Sequence, residues 1–194
     1  MIFFQILLFL TTIFFFSLSI SGYGKLINLK TKNNFFIEIF LGIIIVTFII
    51  TLIHFFSKIN LSLSFLIFSL GFIIFLKKKN FKFSELFETK KIHYLIIIIF
   101  FIPMFLSQKY HEDFGYYHLP YALGFIEEKI VFGFANIEKS YIYNSIWLNL
   151  YSVFFLENKN FNFLTLPSFI LYLTLILFSL NQILSNKNKL TSDY

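Results

Sequence analysis

Residues 35–56 read FFIEIFLGIIIVTFIITLIHFF, an apolar block in which Glu38 and His54 are the only ionisable groups. About 20 such residues, rising 1.5 Å each, cover the ~30 Å hydrocarbon core of a bilayer. The stretch therefore predicts a transmembrane helix. Glu38 and His54 lie near its two ends, where a polar group reaches the interface or faces a loop.

Similar blocks stand on both sides. Ile2–Ile20 is apolar and long enough to span. No Lys or Arg precedes it, and its apolar core exceeds that of a signal peptide, so a retained span is expected. Between the two blocks, Tyr23–Asn34 is a polar loop with three lysines and no acid. After Phe56, Ser57–Asn60 is a tight connection. Leu61–Leu76 is then a third span, expected to form a hairpin with the second.

Lys77–Lys91 carries six lysines against Glu85 and Glu88, the strongest orientation signal in the chain. Lysine-rich short loops stay on the cytoplasmic face. That places Tyr23–Asn34 on the same face and the N-terminus outside. Ile92–Ser107 is a fourth span, with Pro103 near its far end. Tyr141–Leu156 is semi-polar, and either spans with a polar face toward a cavity or lies in the interface. Phe163–Leu184 is the final span, with a polar tail expected to be disordered behind it.

The 194 residues are 58% hydrophobic and include 32 Phe. Laid out in blocks, that composition predicts an all-α polytopic transmembrane bundle of five or six spans. It divides into a four-span region (1–107), an extracytoplasmic acidic loop with short helices (108–140), one or two further spans (141–185) and a polar tail (186–194). The implied partner is a lipid bilayer, as a multi-pass integral membrane protein. The net charge of +6 comes from lysines beside spans, so nucleic-acid binding is not implied. With no cysteine, disulfides, thiolate metal sites and cysteine nucleophiles are excluded.

The chemistry-bearing residues concentrate in Tyr110–Asn144. Between Gln108 and Ser140 five acids face three lysines, opposite in sign to the lysine loop. Glu112 and Asp113 are adjacent acids just beyond a span. Such a carboxylate can act as general base on an acceptor hydroxyl, help hold a divalent cation, or bind sugar hydroxyls; the plain alternative is a solvated loop acid. No cofactor beyond such a cation is implied. His118 is either a hydrogen-bonded structural residue or part of the site. A zinc site can be drawn from His111, Glu112, Asp113 and His118, but its spacing fits no strong template. Pro120 suits the first turn of a short helix over 121–129, with Glu127 and Glu128 at its solvated end.

The run Asp113-x-x-x-Tyr117-His118-Leu119-Pro120, just after a span on the non-cytoplasmic side, resembles the first extracytoplasmic loop of GT-C-type glycosyltransferases. Within that superfamily it is most similar to bacterial membrane proteins carrying a D-x-x-x-Y-H-L-P run. Tyr143-Asn144-Ser145-x-Trp147 resembles the stretch leading into their next span. The resemblance covers roughly 109–180 and implies the N-terminal part of an enzyme that transfers a sugar from a polyprenyl-phosphate donor on the outer face of the inner membrane. It implies Asp113, with Glu112 second, as the catalytic base or metal-site carboxylate, and Tyr117, His118, Asn144 and Lys109 as substrate-binding. The alternative is a non-catalytic integral membrane protein or assembly subunit.

Overall fold

The computed structural model describes residues 2–27, 34–77, 114–133, 136, 146–154 and 166–192. Its elements are α1 (Ile2–Gly24), α2 (Phe35–His54), α3 (Leu61–Lys77), a π-helical turn (Phe114–His118), α4 (Leu119–Glu127), α5 (Ile146–Phe154) and α6 (Leu166–Ser192). Among the described residues there is no strand. Two helical stretches, Phe35–His54 and Leu166–Ile183, are long and apolar enough to cross a membrane; Leu10–Gly24 and Leu61–Lys77 are shorter apolar helices. The fourth expected span, Ile92–Ser107, lies outside the described residues, as does the lysine loop from residue 78 onward.

Asparagines start two of the helices. The Asn34 side chain accepts from the N–H groups of Phe36 (3.0 Å) and Ile37 (3.4 Å), capping α2. Asn60 accepts from Leu63 N–H at 2.9 Å and does the same for α3. Each satisfies donors that a helix start would otherwise leave orphaned. Pro120 and Pro167 stand in the first turns of α4 and α6, where a missing N–H costs nothing.

The arrangement departs from the expected α2–α3 hairpin: α1 packs between them, and each makes its main contacts with it. Small residues allow this. A Cβ on Gly22 would collide with the Gly71 carbonyl of α3, and one on Gly42 of α2 with the Ile20 carbonyl of α1. A Cβ on Gly24 would strike Glu38 of α2. Backbones that approach so closely gain dispersion contact without any side chain between them. Ile20 meets Gly42 and Gly24 meets Glu38, so α1 and α2 are antiparallel. Phe16 faces Phe68 and Lys25 faces Phe75, so α1 and α3 are parallel.

Three other expectations change. Tyr23 is not a loop residue. It closes α1 from within the core, and its hydroxyl donates to the Ile67 carbonyl at 2.7 Å. Glu38 is not at a free interface, because its carboxylate lies 3.9 Å from Lys25 Nζ, with both side chains largely covered. The expected disordered tail continues α6 as helix to Ser192.

The described part of Tyr141–Leu156 is α5. Its nine described residues cover about 14 Å, less than a bilayer's thickness, and pack into the interior of the bundle. Leu148, Asn149, Leu150, Ser152, Val153 and Phe154 are all buried, and α5 touches α2, α3, α4 and α6. Phe154 meets Phe16 and Phe68 edge-on at 4.8 and 4.9 Å. That aromatic cluster ties α5 to α1 and α3, with geometry favoured by ring quadrupoles.

Candidate functional site: the α2–α4–α5 junction

One end of the bundle gathers Lys25, Glu38 and Phe75. The other gathers the end of α2, the α2–α3 turn and the loop helix α4. Three hydrogen bonds hold α4 there. Ile59 N–H of the turn donates to the Phe125 carbonyl at 2.9 Å, and Ile130 N–H donates to the His54 carbonyl at 3.1 Å. His54 Nε2 reaches the Glu128 carbonyl at 3.1 Å. From the other side, Ser152 of α5 donates to the Ala122 carbonyl at 3.0 Å.

His54 is the centre of this junction. The expectation of an interfacial or loop-facing residue is corrected: its relative exposure is 0%. Its ring packs edge-on against Phe125 at 4.6 Å. Nδ1 lies 2.9 Å from Asn149 Oδ1, the Asn149 amide nitrogen is 3.2 Å from Thr51 Oγ1, and Thr51 donates to the Thr47 carbonyl at 2.8 Å. Thus α2, α4 and α5 share one buried polar network.

Hydrogen-bond accounting limits its chemistry. A backbone carbonyl only accepts, so Nε2 carries a proton toward Glu128. Facing Asn149 Oδ1, Nδ1 must carry one too, and the ring is an imidazolium. With the Asn149 amide turned by half a revolution, Nδ1 accepts from its nitrogen and Thr51 donates to its oxygen, and the ring is neutral. Only the first state closes completely, because Thr51 has a single hydroxyl proton and in the neutral state gives up its bond to the Thr47 carbonyl. No ring nitrogen is left for a substrate, so His54 positions α4 rather than attacking anything.

The residues singled out from the sequence fall differently. Asp113, Glu112, Lys109 and Asn144 lie outside the described residues, and so does His111 of the drawn zinc set. Tyr117 is placed through its backbone in the π-helical turn. His118 is exposed where that turn runs into α4, and its side chain makes no cap bond to the helix. It is not part of the His54 network. Among the described residues no group of three His, Cys, Asp or Glu could hold a metal ion. Glu127 and Glu128 are exposed at the end of α4, and α4 ends at Glu127, close to the expected short helix.

Sequence reasoning missed His54 and Asn149. The signal was present: a histidine closing a 20-residue apolar helix, and an asparagine inside an apolar run. What was missing was their proximity across 95 residues. No curated protein and no solved structure matches the chain. A family model does match, over residues 1–194: the chain belongs to the DUF8201 family, a domain of unknown function.

Proposed function

We propose that the chain is a multi-pass inner-membrane protein of the GT-C glycosyltransferase type, which uses a polyprenyl-phosphate-linked sugar at the end of the bundle where α4 docks. The membrane part of the reading is supported by where apolar side chains lie. Ile44, Phe48 and Leu52 recur every four residues along one exposed face of α2. Less than half of α2 and less than a third of Leu166–Ile183 are buried. Left in water, each large apolar side chain would forgo roughly 1.5–3 kcal/mol.

The observation that carries the enzymatic part is the docking of α4. It begins within the Asp113-x-x-x-Tyr117-His118-Leu119-Pro120 run, at Leu119, and is pinned to the end of α2 by the His54, Ile59 and Ile130 bonds. A loop acid just upstream of so anchored a helix would be held near the membrane surface, where a lipid-linked sugar presents its reactive carbon. There Asp113 would take the proton of the acceptor hydroxyl, with Glu112 beside it. Tyr117, His118, Asn144 and Lys109 would contact the sugar and its phosphate. If a divalent cation takes part, these carboxylates are its ligands.

The test uses the protein in lipid nanodiscs with radiolabelled polyprenyl-phosphate hexoses. Wild type is expected to retain the lipid and to transfer or release labelled sugar. Asp113→Asn should keep retention and lower turnover by about a hundredfold or more, the scale of a lost general base. Equal turnover in Asp113→Asn would overturn the assignment. A second reading, a non-catalytic membrane subunit, is favoured by the closure of the His54 network on itself. It predicts neither retention nor turnover.

A further inference from the structure

The junction carries a feature that the docking of α4 does not need. Phe56, just past the end of α2, is 84% exposed, and Phe132, five residues past α4, is 80% exposed. Val131 beside it is also bare. Phe55 and Phe132 stack, with ring centroids 5.8 Å apart and planes 24° from parallel. The backbone fixes this pairing. Ile130 N–H is bonded to the His54 carbonyl, which sets the segment beside the end of α2. Gly133 then turns the chain with φ +83°, a conformation open to glycine, and the turn closes through Asn136 N–H to the Gly133 carbonyl at 2.9 Å.

These rings are not an isolated patch. Ile44, Phe48, Leu52 and Phe56 are spaced by four, so they line one stripe of α2 and its C-terminal extension. Phe132 prolongs that stripe past the point where the helix stops. Exposed charges flank it: Lys58 in the α2–α3 turn, and Glu127, Glu128 and Lys129 at the end of α4. Their signs balance, so apolar contact rather than net charge would have to carry an interaction here. Aromatic rings at the margin of an apolar stripe, with mixed charges just outside it, match the layering of a membrane interface.

We propose that Phe55, Phe56, Val131 and Phe132 form a wedge that enters the headgroup–acyl boundary of the leaflet on the α4 side, so that the segment after α4 lies in the membrane surface rather than free in water. This rests on reading α2 as a membrane span. Its occupant is lipid, because the wedge continues the face of α2 that this reading gives to lipid. The consequence is that α4 is held from two directions, by the His54 network within the bundle and by the wedge in the leaflet.

The chain has no cysteine, so single spin labels can be introduced without background. Phe56→Cys, Phe132→Cys, Phe48→Cys and Glu127→Cys would each carry a nitroxide in the full chain reconstituted in phosphatidylcholine vesicles. Collision with oxygen, which concentrates in lipid, is compared with collision with a water-soluble nickel chelate. Labels at 56 and 132 are expected to favour oxygen, as at 48, whereas the label at 127 favours nickel. Labels at 56 and 132 that favour nickel while 48 favours oxygen would overturn the wedge and leave the span intact. Nickel access at 48 as well would instead refute the span. Labels at 56 and 132 shielded from both reagents would mean that protein, such as a second copy, covers the rings, which also overturns the proposal. All four positions are exposed or at a lipid-facing surface, and gel filtration of each variant confirms that it folds.

Discussion

The two ends of the bundle are held together by opposite means. Where α1 meets α2 and α3, glycines bring backbone against backbone: Gly22 against Gly71, Gly42 against Ile20, Gly24 against Glu38. Where α4 meets α2 and α5, hydrogen bonds do the joining, two of them between backbones (Ile59 to Phe125, Ile130 to His54) and the rest through the side chains of His54, Asn149, Thr51 and Ser152. The glycines of the second region make the same point. A Cβ on Gly115 or Gly124 would meet nothing within 4 Å. Close backbone packing is rigid, because any added atom must move a helix. A hydrogen-bonded network can be opened one bond at a time, so α4 can loosen while the helix packing stays closed.

The contrast is broken most completely by topology. Ser57 and Lys77 stand at opposite ends of α3 and are both exposed. In sealed vesicles, Ser57→Cys and Lys77→Cys should react with a membrane-impermeant maleimide from opposite sides, an all-or-none difference. Reaction from the same side would mean that the two ends do not face different compartments.

Next in size is Gly22→Leu. Its side chain would have to push α1 off α3, an overpacking of roughly 1–3 kcal/mol or more, since backbone rather than a flexible side chain is in the way. Thermal unfolding in detergent should show a large drop in midpoint. A near-wild-type midpoint would show that the two helices separate cheaply.

His54→Ala should be smaller and local. It leaves the Glu128 carbonyl and the Asn149 amide without their partner, at about 1–3 kcal/mol for each buried group that water cannot reach. Amide hydrogen exchange should quicken in α4, residues 119–127, while the α1–α3 contact keeps its protection. His54→Gln, which can still donate to one partner, should recover part of the effect. Equal loosening of α1 and α3 would show that the two regions are one cooperative unit. Smallest of all is Gly124→Ala, expected to stabilise α4 by up to about 1 kcal/mol, because alanine fits open space and a helix interior. A loss of stability there would reveal a neighbour close against that face.

Much of the helical content was legible in the sequence. Long apolar blocks marked α2, α3 and α6. Asn34, Asn60, Pro120 and Pro167 stand where helices begin, since capping and proline act over one turn and need no partner from afar. The expected end of the first helix was short because Tyr23 looks polar. Its phenol donates to the Ile67 carbonyl, which α3 supplies. The α2–α3 hairpin was the natural inference from a four-residue connection, yet α1 takes that place, because its glycines and serines accept both neighbours at backbone distance. Of the site residues expected from the D-x-x-x-Y-H-L-P run, His118 is placed at an exposed helix start, whereas Asp113 and Glu112 fall outside the described residues.

By itself, the sequence determined that the chain is helical, apolar in blocks and basic in short loops, because apolar run length, capping and charge are properties of neighbouring residues. It also held the local motif on which the enzymatic proposal stands. Only the tertiary structure decided that α1 lies between α2 and α3, that α5 is interior, and that His54 is the joint holding α4 to the bundle. These are contacts between residues 44, 74 and 95 positions apart. They form when backbones approach closely enough to exclude water and leave buried polar groups no partners but one another, a condition that no stretch of the chain states alone.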